Sequence, residues 1–143
     1  MIIVVDTNIV FSAILNSSSK IAQILLYPST DLEFYSTTQL LTEIEKYQNK
    51  IKKLSGYTDA ELKEVKRLVI KNITFIDVEI IPQESFLLAK DLTKDIDVDD
   101  TEFVALTDFI NGLLWSGDRK LIRGLATKGW QRCIDTNELF RLI

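Results

Sequence analysis

Ile2-Ile3-Val4-Val5-Asp6-Thr7-Asn8 is the stretch that decides the reading of this chain. Four apolar residues in a row, with no polar alternation, are the pattern of a strand covered on both faces. An acid follows at once. Thr7–Leu15 then has helical character and ends at Asn16 and the Ser17-Ser18-Ser19 run. Moving outward, Ile21–Tyr27 reads as a short helix stopped by Pro28, and Glu33–Ser36 as a strand. Thr38–Leu54 reads as one long helix ending before Gly56. Thr58 and Glu61 make a capping box for a helix reaching about Lys71. Ile73–Ile76 is a strand, and Pro82 opens a helix through about Leu92. Asp100–Asn111 reads as a helix, Leu113–Ser116 as a strand, and Arg119–Thr127 as a helix with Gly129 as its stop. Arg132–Ile134 is a last strand and Thr136–Leu142 a closing helix. Strands alternating with helices predict an α/β fold: a parallel sheet of about five strands, helices on both faces. Functional groups in such folds gather at the carboxyl ends of the strands.

The 143 residues are 46% hydrophobic with only 5 Gly and 2 Pro, a globular composition of a size suited to a single domain spanning 1–143. No repeat, linker or low-complexity tract divides it. The one cysteine, Cys133, allows no internal disulfide, which fits a reducing, cytoplasmic setting. No apolar run approaches the roughly 20 residues of a membrane span, and no basic leader precedes an apolar stretch, so neither a membrane location nor a signal peptide is expected. The net charge is −4, but residues 46–71 hold eight Lys/Arg against three acids, a local +5 that leaves −9 elsewhere. A basic helical pair at about 46–72 beside an acidic body suits a phosphate substrate. It also suits two solvated helices with lysines outward. There is no histidine. Ser-His-Asp, Cys-His and zinc-histidine chemistries are therefore excluded, and any active site must run on carboxylates, lysine, hydroxyls or a hard metal.

Two acids stand at strand ends: Asp6 directly after the first strand, and Asp118 after Leu113–Ser116 and one glycine. Each is also placed to cap the helix that follows, and a carboxylate can do both. Leu40, Ile44, Tyr47, Ile51 and Leu54 recur at helical spacing and define a buried stripe. At about 100° per residue, Glu43 falls roughly 60° from its centre and Glu45 roughly 140° away, so Glu43 is the member of the pair that borders the core. Asp95-Ile96-Asp97-Val98-Asp99-Asp100-Thr101-Glu102 is densely acidic. Asp99 with Glu102 reads as a capping box, with Val98 and Phe103 in the staple positions. Asp100 then becomes the first helical residue, on the side of Phe103 and Thr107. Asp95 and Asp97 are expected in a solvated loop, Asp97 with the option of an outer role at a site. Asp6, Glu43, Asp100 and Asp118 are thus four carboxylates that the fold can bring together. Their repulsion would raise some of their pKa values, and a divalent cation relieves it. With only oxygen ligands on offer, Mg²⁺ or Mn²⁺ fits and zinc does not. Such an ion held by carboxylates is the usual device for phosphodiester hydrolysis.

At these residues the chain resembles the PIN-domain nucleases. Asp6-Thr7-Asn8 after an apolar strand is similar to their opening motif, and Leu40-Leu41-Thr42-Glu43-Ile44 to their second acidic motif. Asp100-Thr101-Glu102-Phe103-Val104-Ala105-Leu106-Thr107 resembles the third. Ser116-Gly117-Asp118-Arg119-Lys120-Leu121 resembles the fourth, with Ser116 where Thr is usual. The order matches and the resemblance covers essentially the whole chain. It implies a Rossmann-like three-layer α/β/α sandwich and Mg²⁺- or Mn²⁺-dependent cleavage of RNA. Asp6 and Asp118 would be the main ligands, with Glu43 and Asp100 holding a second ion or its waters. Asn8 and Ser116 match positions that orient the site. Asp99 competes with Asp100 for the third acidic position because the acid run is denser than in many members. Lys50, Lys53, Arg119 and Lys120 are expected on the RNA backbone, without base reading. Small members resembling VapC are toxins of type II toxin–antitoxin pairs, which implies an antitoxin partner and a homodimer. Two other readings differ in kind. A haloacid-dehalogenase-type phosphoryl transferase wants a second Asp where this chain has Asn8. A catalytically silent PIN-like domain would bind RNA or protein without cutting.

Overall fold

The computed structural model describes residues 1–143. Its five strands are β1 (Ile2–Val5), β2 (Glu33–Thr37), β3 (Ile73–Ile76), β4 (Leu113–Trp115) and β5 (Cys133–Ile134). They form one sheet in the order β3-β2-β1-β4-β5. Every pairing is parallel, with Ile3 opposite Phe34 on one side and Leu113 on the other. The chain therefore winds outward from the central β1 through β2 and β3, then crosses back to lay down β4 and β5. The reversal opens a crevice at the carboxyl ends of β1 and β4.

Nine helices connect and cover the strands: α1 (Thr7–Leu15), α2 (Lys20–Leu26), α3 (Thr38–Lys46), α4 (Gln48–Ser55), α5 (Asp59–Ile70), α6 (Gln83–Thr93), α7 (Thr101–Ile110), α8 (Arg119–Thr127) and α9 (Thr136–Arg141). Ile3 and Val5 pack with residues of α1 to α5 and α9, whereas Val4 packs on the opposite face with α6, α7 and α8. Both faces are covered, which is why the opening run carries no polar alternation. The expected three-layer α/β/α sandwich is the observed fold. No single helix is long and apolar enough to cross a membrane.

The expected long helix over Thr38–Leu54 is a correction. It breaks at Tyr47, whose φ of −103° and ψ of 13° separate α3 from α4. Leu40, Ile44 and Ile51 stay buried, but Tyr47 and Leu54 turn out to 39% and 64% exposure. The break lets the Tyr47 ring meet Phe11 edge to face, centroids 6.0 Å apart. The capping box at the start of α5 forms as expected, with Thr58 Oγ1 accepting from Glu61 N and Glu61 Oε1 accepting from Thr58 N. Tyr35 is half-buried, while Phe34, Trp115 and Trp130 are buried. The return from α7 to β4 is tight. Asn111 takes the left-handed conformation at φ 54°, and a Cβ on Gly112 would sit 2.9 Å from the Ile2 carbonyl oxygen.

Candidate active site

Asp6 ends β1 and caps α1, its Oδ1 accepting from Ile9 N at 2.9 Å. It is only 4% exposed. Burial pushes its carboxyl up to about 6, against the opposing pull of the Ile9 and Asn8 amides and the Ser116 hydroxyl; the charge of Asp118 adds to the rise. Asp118 follows β4 and caps α8, its Oδ1 accepting from Lys120 N at 3.0 Å and Leu121 N at 3.1 Å. Fully buried Ser116 sits between the two, accepting from the Asp118 amide at 3.1 Å and facing Asp6. The hydroxyl at 116 therefore hydrogen-bonds the Asp6 carboxyl on one side and the Asp118 backbone on the other. Capping uses one oxygen of each carboxylate and leaves the other for a ligand.

The acidic segment before α7 departs from expectation. Asp97, not Asp99, is the capping residue: its Oδ1 accepts from Asp99 N at 3.0 Å and starts a 3-10 turn over Val98–Asp100. Asp99 N is the donor that Glu102 would need for the expected capping box, so that box does not form. The expected staple fails as well, since Val98 is 65% exposed while Phe103 is buried. Asp100 occupies the N-cap position of α7 without a side-chain capping bond, rather than its first helical position. The Glu102 carboxyl is raised by burial and by the charge of Glu43.

This turn gathers the acids. Asp97, Asp100 and Asp118 each offer an oxygen, and the three lie within 4.8 Å of one another. Half-buried Asp100 is pushed up to about 7, by burial first and then by the charges of Asp6, Asp97, Asp118 and Asp99. Asp99 is exposed on the wall of the adjoining cavity and lies outside the group of three. Asp97 is the residue that sequence reasoning undervalued. Its signal is the Asp-x-x-Asp spacing, because a turn of three residues per revolution returns positions 97 and 100 to one side.

The segment is fastened to α8. Ile96 lies over Gly124, where a Cβ would be 2.6 Å from Ile96 Cδ1. Lys128 Nζ donates to Leu92 O at 2.9 Å and Asp91 O at 3.3 Å, and also to the Asp95 carboxylate. One helix thus carries Asp118 at its start and holds the loop of Asp97 along its length.

The acids open onto a cavity of about 560 Å³. Asp6, Asn8, Glu43, Lys50, Asp97 and Asp100 give its polar wall, with Phe11, Tyr47 and Leu54 among the apolar residues opposite. Glu43 is half-buried on α3, as its place beside the apolar stripe predicts, and its Oε1 accepts from Gln39 Nε2 at 3.1 Å. It faces the cavity but stands apart from the tight group of three. Of the four expected phosphate contacts, Lys50 lines this cavity and Arg119 lines a smaller one nearby; Lys53 and Lys120 are exposed and line neither.

The donor set fits a hard cation. Every candidate ligand atom is a carboxylate oxygen, and neighbouring carboxylates add to the raised pKa of Asp6 and Asp100. None of the five ion pairs in the molecule involves Asp6, Glu43, Asp97, Asp100 or Asp118. No ion pair within the chain balances this charge, and a hard divalent cation is what such oxygens take.

No curated protein matches the sequence at a significant level. Among solved structures, the chain superposes on one from the crystal structure of VapBC2 from Rickettsia felis bound to a DNA fragment from their promoter. The TM-score is 0.68 at 15% identity, covering 94% of this chain and 97% of that one, a likeness of fold. The family comparison is more direct, because residues 4–138 match the PIN domain and the matched span contains Asp6, Glu43, Asp97, Asp100 and Asp118. By that match, over an acidic crevice of this form, the chain belongs to the PIN-domain family.

Proposed function

We propose that the protein is a metal-dependent endoribonuclease that hydrolyses RNA phosphodiester bonds. The observation that carries this reading is the convergence of Asp97, Asp100 and Asp118 beside buried Asp6 at the sheet crevice. Asp6, Asp100 and Asp118 hold Mg²⁺ or Mn²⁺ together with Asp97, and Glu43 supports them from the cavity wall. When bound, such an ion neutralises phosphate charge and activates water. Ser116 keeps Asp6 and Asp118 in register, and Asn8 lies beside Asp6 on the cavity wall. Lys50 meets the RNA backbone on the cavity side, with Lys53 and Lys120 further out. The PIN family is a nuclease family in general, which supports the reaction class.

The same reading extends to a cytoplasmic toxin of a type II toxin–antitoxin pair. The fold match to a chain of the VapBC2 complex, nearly end to end on both sides, supports it. A small antitoxin and a homodimer are the partners this implies.

The test is incubation of purified protein with a panel of small RNAs in Mg²⁺, Mn²⁺ or EDTA. Cleavage is expected with either ion and lost in EDTA. The Asp118→Asn variant is expected to lose at least about 100-fold in rate while folding normally, since Asn still caps α8. Full activity of that variant, or cleavage in EDTA, would refute the assignment.

A further inference from the structure

A second cavity of about 230 Å³ adjoins the loop that carries Asp118. Gly117 and Arg119, the two neighbours of Asp118 in sequence, are both in its wall, so it shares a loop with the acidic site. Arg123 joins Arg119 one helical turn later on the same face of α8. Asp135, Asn137 and Glu138 from the start of α9 line it as well.

The charges in this cavity are unpaired. Arg119 and Arg123 enter none of the five ion pairs, although two carboxylates share their cavity. Those carboxylates are each held by one oxygen: Asp135 Oδ1 accepts from Glu138 N at 2.8 Å, and Glu138 Oε1 accepts from Asp135 N at 3.2 Å. The reciprocal cap ties one oxygen of each acid to its own helix, and neither acid pairs with an arginine. Their remaining oxygens are free to accept. A ligand filling the space would carry an anion for the guanidinium groups and hydrogen-bond donors for the acids and Asn137. A ribonucleotide offers both, a phosphate at one end and a 2′-hydroxyl at the other.

We propose that this cavity is a ribonucleotide subsite next to the scissile position. Arg119 and Arg123 hold the phosphate adjoining the one at the acids, and Asp135 and Asn137 receive the 2′-hydroxyl of the same nucleotide. This rests on the RNA-cleavage reading above. It adds a direction to the bound strand, with the basic cavity on the β5 side and the apolar-walled one on the α4 side. It also adds a reason to prefer RNA over DNA, because the 2′-hydroxyl is the group that distinguishes them.

The experiment uses Mn²⁺-loaded protein and an RNA cleaved by the wild type. Steady-state kinetics are compared with those of the Arg119→Gln/Arg123→Gln double variant, and a single 2′-deoxy nucleotide is walked through the RNA. Both arginines are unpaired, so the double variant is expected to unfold at the wild-type temperature. The expected result is a rise in KM of about tenfold, a much smaller change in kcat, and a salt dependence of KM shallower by about one to two in log–log slope. One deoxy position beside the cut should raise the wild-type KM and have no further effect in Asp135→Asn/Asn137→Ala, where the introduced amide oxygen still caps α9. Unchanged KM in the arginine double variant, or a deoxy effect that persists in the second variant, overturns the subsite and leaves the nuclease standing. A wild type that cuts no RNA on the panel overturns both.

Discussion

Asp6 is asked to be buried, charged and a helix cap at once, and these demands conflict in a way that pH exposes. Its carboxyl is raised from 3.8 to about 6, so between those values the folded state binds more protons than the unfolded chain. Stability of the metal-free protein therefore falls as pH rises through that window, by roughly 2–3 kcal/mol from this residue. Asp6→Asn keeps an oxygen for Ile9 N and removes the charge. In EDTA at pH 8 the variant should gain roughly 1–2 kcal/mol in urea denaturation, and at pH 4 it should differ little from wild type. An equal change at both pH values would mean that charge burial is not the cause. Asp97 makes a different prediction. Its Asn variant retains the acceptor for Asp99 N and loses one anionic ligand. Mn²⁺ affinity, read by calorimetry, should fall about tenfold with little change in folding. Undiminished affinity would place Asp97 outside the ligand set.

Among the elements, α8 is the one on which the site depends. Its first turn presents Asp118, and its later residues Gly124 and Lys128 hold the loop that carries Asp97. A methyl group at position 124 meets the tip of the Ile96 side chain, so the neighbour must move. Gly124→Ala should destabilise by about 1–3 kcal/mol through overpacking, offset in part by the gain in helix propensity. Ile96→Val removes the atom nearest the new methyl, so the double variant should be more stable than the sum of the singles by about 1 kcal/mol. If strict additivity were found in chemical denaturation, Ile96 and Gly124 would not be the contact that docks the loop. The broken α3–α4 pair acts differently. By turning Tyr47 and Leu54 outward it supplies the apolar wall of the main cavity, a surface that an unbroken helix would have buried.

For the whole molecule, the acids make metal and pH a single variable. Asp100, raised to about 7, adds its own loss of stability as pH rises toward neutrality, discounted for solvent screening because the residue is only half-buried. A divalent cation cancels both penalties by favouring the ionised forms. Millimolar Mg²⁺ should therefore raise the melting temperature by a few degrees, roughly 3–8 °C, at pH 8 and by much less at pH 5. Scanning calorimetry at the two pH values checks this, and an equal shift at both would point to an ion bound elsewhere.

Much of this was legible from residues alone. The unbroken apolar run of Ile2–Val5 demanded a strand covered on both faces, and the alternation of strand and helix demanded a parallel sheet. Asp6 and Asp118 could be placed because one directly follows a strand and the other stands just past one, and strand ends in parallel sheets share one edge. Glu43 followed from helical phase. Periodicity reports which face of an element is buried, not where an element stops, so it ran α3 and α4 together across Tyr47. Local rules likewise assigned Asp99 and Glu102 to a capping box. The choice between that box and the turn made by Asp97 was settled by packing: Ile96 on Gly124 and Lys128 on the end of α6 set the path of the loop. Those partners lie about thirty residues further along the chain, and no local pattern carries their distance. The kinds of group at the site were determined by sequence, and their convergence on one point was decided by the tertiary fold, because long-range packing alone brings them within reach of a shared ion.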